Sequence, residues 1–69
     1  MKAKTRTSAD ALANPMVGDR WRDSDGATRE VTGRKEFNVE YRMAAYGYKV
    51  TIYRWRKINE HALLLGGAE

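Results

Sequence analysis

Phe37-Asn38-Val39-Glu40-Tyr41-Arg42-Met43 decides the fold, because apolar residues at 37, 39, 41 and 43 alternate with polar ones at 38, 40 and 42. A period of two is the signature of a β-strand with one face buried and the other solvated. Upstream, Arg20-Trp21-Arg22 repeats the pattern in miniature, with one large ring between two cations. Asp23-Ser24-Asp25-Gly26 follows as a turn, since Asp side chains cap turn N–H groups and glycine accepts positive φ. Thr28 to Thr32 then reads as the returning strand, and Gly33-Arg34-Lys35 as a softer break before Phe37.

Downstream, Ala44-Ala45-Tyr46 leads into a turn closed by Gly47, and Lys49 to Trp55 reads as a further strand. Regular alternation there puts Val50 and Ile52 on one face and Thr51, Tyr53 and Trp55 on the other. The C-terminal stretch has two readings. Asn59 can cap a short helix running to Leu65 and stopped by Gly66, or Trp55 to Asn59 can form one helical turn with His61 to Leu65 as a last strand. The strand is preferred, because a short isolated helix is marginal in water and a last strand covers an exposed sheet edge. The expected core is Trp21, Val31, Phe37, Val39, Tyr41, Val50, Ile52 and one or two of Leu63 to Leu65.

Three segments follow from composition. Residues 1–15 have Leu12 as their only large aliphatic after Met1, too little apolar area to offset ordering entropy, and read as a disordered basic tail with at most a transient turn at Asp10 to Ala13. Asn14-Pro15 marks the boundary, because a residue before proline is pushed away from helix. Residues 16–65 form the domain and residues 66–69 are expected to fray.

A chain of 69 residues is one domain of marginal stability, burying about 60% of its unfolded surface. It has no cysteine, which removes disulfides, thiolate zinc sites and thiol nucleophiles. No apolar run is long enough for a signal-peptide core or a membrane span, so a cytoplasmic location is the default expectation.

Four or five short antiparallel strands, with one short helical turn near the C-terminus, make a mainly β chain that looks like a small SH3-like barrel. Gly18-Asp19-Arg20-Trp21-Arg22-Asp23-Ser24-Asp25-Gly26 followed by Arg29-Glu30-Val31 also resembles a loose group of short phage and prophage proteins. The resemblance covers roughly residues 17–65. It implies a barrel and a mobile-element origin, and host cytoplasm as the location, and it brings no catalytic residues.

Catalysis is excluded step by step. Nucleophilic chemistry needs a Ser, Thr or Cys beside a base; His61 is the single histidine and no Gly-x-Ser-x-Gly elbow occurs. A calcium loop laid from Trp21 matches at Asp23, Asp25 and Gly26, but Trp21 stands at its first position and Thr32 where a bidentate Glu is required. Gly66-Gly67 lacks the Lys-Ser/Thr of a phosphate loop. The expectation is a non-catalytic protein without cofactor or metal.

What remains is charge. Between Tyr41 and Asn59 lie five aromatics and five basic residues and no acid, whereas the net charge of the whole chain is +4 and the other residues sum to −1. Cations interleaved with rings can follow a phosphate backbone and stack on bases. The candidate nucleic-acid-binding residues are Lys49, Tyr53, Arg54, Trp55, Arg56 and Lys57, joined by Arg20 and Arg22. Trp55 is the pivot. It is a stacking platform, the preferred reading, if the strand runs regularly through it, and core if the chain turns at Arg54. The alternative function is protein recognition through an aromatic groove or open strand edge, by a host or phage partner or by another copy of the chain.

Overall fold

The structure, a computed structural model, describes residues 7–66. Five antiparallel strands form one open sheet: β1 (Arg20–Arg22), β2 (Thr28–Lys35), β3 (Asn38–Met43), β4 (Tyr46–Thr51) and β5 (Leu63–Gly66), in the order β4-β3-β2-β1-β5. Helix α1 (Ser8–Ala13) precedes the sheet, and α2 (Ile52–Ile58) lies between β4 and β5. The mainly β architecture, the short helix ahead of the last strand and the strand reading of the C-terminus all stand.

Asp23 forms the first turn as its sequence suggests: its Oδ1 accepts from Ala27 N–H at 3.0 Å, and Gly26 sits at φ 92°. The next two hairpins differ from expectation. Lys35 pairs with Asn38 and Met43 with Tyr46, so the loops are Glu36-Phe37 and Ala44-Ala45, while Gly33 and Gly47 lie inside strands. Glu36 (φ 50°) and Ala44 (φ 57°) take the positive φ that glycine usually supplies. Phe37 therefore leaves the strand, and its ring is exposed rather than core.

The core is Trp21, Val31, Val39, Tyr41, Ile52, Trp55 and Ala11, with Val50, Leu64, Met43 and Ile58 packed against it. Trp21 and Leu64 are register partners, so β5 does cover that side of β1. The expected strand from Lys49 to Trp55 ends at Thr51, whose hydroxyl accepts from Arg54 N–H at 3.2 Å and starts α2. Ile52 and Trp55 are three apart and share the buried face of that helix. Once the backbone turns helical, Trp55 is buried and the platform reading fails.

The tail reading is also corrected over residues 8–13. Thr7 and Asp10 form a reciprocal capping box at the start of α1, and Ala11 is fully buried. Small alanines let the two helices approach closely, so α1 needs little apolar area of its own once α2 offers a surface. Gly66, expected to fray, instead ends β5 opposite Arg20, and residues 1–6 and 67–69, where the rest of the tail and frayed-end readings fall, lie outside the described residues.

Candidate functional site

The eight candidate residues do not form one surface. Trp55 lies in the core, its ring centroid 5.0 Å from that of Tyr41. On the outer side of α2, Tyr53, Arg54 and Lys57 are exposed. Arg56 is committed elsewhere: Nε donates to Leu12 O and Nη2 to Ala13 O, both at 3.0 Å, and its guanidinium sits 5.9 Å over the Tyr53 ring. Lys57 approaches Glu60 at 3.5 Å.

Arg20 and Arg22 flank Trp21, and since Trp21 points into the core that α2 also covers, the two arginines face the opposite side of the sheet. That outer face is laced with compensating charge. Arg20 is opposite Glu30, Glu30 is opposite Arg42 and bonds it at 3.1 Å, and Glu40 is opposite Lys49. A shallow cleft of about 360 Å³ lies there, lined by Thr32, Glu40, Gly47 and Lys49 among others. The basic excess seen in the sequence is thus divided between two faces and partly neutralised.

Three polar groups, Asn59 fully buried and Arg29 and Asp23 partly so, explain the C-terminal end of α2. Arg29 donates to Asp23 Oδ2 at 2.8 Å and to Asn59 Oδ1 at 3.2 Å, and Asn59 Nδ2 donates to Trp55 O at 2.9 Å. Asn59 is fully buried, so these bonds satisfy an amide that would otherwise be costly. The Asp23 carboxyl is held below its ordinary value, chiefly by a hydrogen bond with the Asp25 side chain and further by Ala27 N–H and Arg29, against partial desolvation. The network is structural, tying the Asp23 turn and β2 to the end of α2.

What the sequence reading missed is the free side of β4. Five of its six residues are exposed, and β4 is an end strand of the sheet. Tyr46, Tyr48 and Val50 are opposite Met43, Tyr41 and Val39, so they share the core's face. The Tyr48 ring stacks on Tyr41 at 5.2 Å and 21°, and Tyr41 in turn meets Trp55. Cover thins along the strand: Val50 packs on the core, whereas Tyr46 is 68% exposed. The Tyr46-Gly47-Tyr48 alternation carried this signal, and the assumed turn at Gly47 concealed it.

No protein-family model, curated protein or solved structure matches the chain. Among the described residues no group of His, Cys, Asp or Glu is arranged to hold a metal ion, and no helix is long and apolar enough to cross a membrane.

Proposed function

We propose that the protein is a non-catalytic binding module whose recognition surface is the free edge of β4, and that its partner is an extended polypeptide segment added as a sixth strand. One observation carries this reading: β4 is a six-residue end strand, exposed along its length, with two tyrosine rings on one side and neither bulge nor proline. Backbone groups on such an edge supply affinity and the alternate side chains supply selectivity. Nucleic-acid binding loses support because its central ring is buried and its cations lie on two faces.

Selection from a library of short unconstrained peptides, followed by amide-shift mapping, tests the proposal. Binders are expected to shift Gly47, Lys49 and Thr51 most, with affinity nearly independent of salt. Failure to select any peptide, together with oligonucleotide binding that falls steeply with salt, would instead establish the phosphate-binding reading.

A further inference from the structure

Resting on that strand-addition reading, we infer that the occupant of the β4 edge is β4 of a second copy of this chain, paired antiparallel about a two-fold axis with Tyr48 facing Tyr48. The hydrogen-bond parity of the ladder comes first. Ile52 N–H donates to Phe37 O at 2.6 Å, and these two residues continue the β3–β4 register. Antiparallel partners alternate between exchanging both hydrogen bonds and exchanging none. Residues 46, 48 and 50 therefore turn their N–H and C=O groups toward β3, and residues 47, 49 and 51 turn theirs toward the open edge.

Side chains opposite each other in an antiparallel pair share a face, so a symmetric pairing must place one residue against its own copy. Two registers overlap most of β4. Centring on Lys49 sets two ammonium groups directly opposite each other, which is destabilising. Centring on Tyr48 removes that conflict. Lys49 then lies opposite Gly47, the one residue on that row with no side chain, and Tyr46 lies opposite Val50, a large ring against a small aliphatic group. Gly47 and Lys49 form the doubly hydrogen-bonded pairs, and the Tyr48 pair is the closely spaced one.

The interior follows the same symmetry. Each copy already stacks Tyr48 on Tyr41 against Trp55, so a two-fold at Tyr48 joins two aromatic stacks into one. The other end of the sheet is less suited, because β5 is shorter and its pairing with β1 shifts register between Arg20 and Trp21. A bulge twists an edge and discourages further pairing. At β4 the register runs unbroken from Asn38–Thr51 to Met43–Tyr46, and Lys49 is its single charge.

Sedimentation equilibrium over a wide range of concentration, at low and high salt, tests the inference on the full chain. A reversible monomer–dimer equilibrium is expected, and it should strengthen with salt because each copy carries a net charge of +4. Lys49→Pro removes an outward N–H and should abolish the dimer while leaving the sheet folded. The chain has no native cysteine, so Tyr48→Cys should form a symmetric disulfide on mild oxidation and Lys49→Cys should not.

A monomer at every concentration overturns the inference, as does a dimer that survives Lys49→Pro or cross-links through Lys49→Cys alone. If Lys49→Pro does not fold, the two cysteine variants decide the register. Should the chain prove monomeric while selected peptides still shift Gly47 and Lys49, strand addition stands and only the second copy is rejected; if no peptide binds either, both fall.

Discussion

The Arg56 guanidinium closes the end of helix α1 by donating to the carbonyl of Leu12, forty-four residues away in sequence, at 3.0 Å. The last carbonyls of any helix lack partners within it, and a cation there also suits the helix dipole. One side chain of α2 therefore helps hold α1 in place, beside the burial of Ala11 and the packing of Leu12 against the core. Arg56→Ala should lower stability by about 1.5–3 kcal/mol, the range for hydrogen bonds to a charged group. Removing residues 1–13 should likewise lower the melting temperature by several degrees, because Ala11 leaves the core and Trp55's helix loses its cover. Thermal unfolding of both variants checks this, and an unchanged melting temperature on deletion would restore the reading of residues 1–15 as a disordered tail.

Trp55 and Tyr53 stand two positions apart and should behave oppositely. Trp55→Ala empties a fully buried site and should cost about 3–5 kcal/mol, a large share of the stability of a domain this small. Tyr53 is 64% exposed, and Tyr53→Ala, losing mainly the cation contact with Arg56, should cost about 1 kcal/mol or less. Urea titration of the two variants separates a core ring from a surface ring.

Ala44 holds φ 57° at the first position of the β3–β4 loop. A left-handed alanine is strained where glycine is not, although glycine loses more entropy on folding. Ala44→Gly should therefore stabilise the protein by about 0.5–1 kcal/mol. A urea midpoint equal to or below the parent's would show that the loop carries no such strain.

Asp23 gives the fold a defined acid sensitivity. Its folded value lies below the ordinary 3.8, so the carboxylate favours the folded state fully above that value. The contribution fades as pH drops below 3.8 and through the lowered folded value. Asp23→Asn should be less stable than the parent at neutral pH, and the gap should narrow in acid. Parallel urea midpoints from neutral pH down to about pH 2 measure it. A gap independent of pH would mean that the carboxylate's charge is not what matters.

Strand alternation made β1, Thr28 to Thr32 of β2 and most of β3 legible, because a half-buried strand writes its two faces directly into the sequence. Trp21, Val31, Val39 and Tyr41 could be assigned to the core on that ground alone, and the Asp23-to-Gly26 turn on side-chain capping; Ile52 is core as expected, but on the buried face of α2 rather than in a strand. The Glu36-Phe37 and Ala44-Ala45 loops were hidden, since neither contains the glycine that marks such loops. The segment Ile52 to Ile58 was ambiguous for another reason. Tyr53-Arg54-Trp55-Arg56 satisfies a period of two, yet Ile52 and Trp55 also satisfy the helical spacing, and Thr51 is a competent N-cap.

The sequence by itself determined the mainly β class, the non-uniform charge and most of the sheet's buried face, all of which depend on local chemistry. Tertiary structure alone decided that residues 8–13 dock, that Trp55 is core and that the cations part onto two faces. Docking of α1 requires a groove and an arginine supplied forty-four residues after Leu12, and the fate of Trp55 depends on whether Tyr41 is there to meet it. The exposed edge of β4 is of the same kind: a strand becomes an edge only when the rest of the chain declines to pair with it.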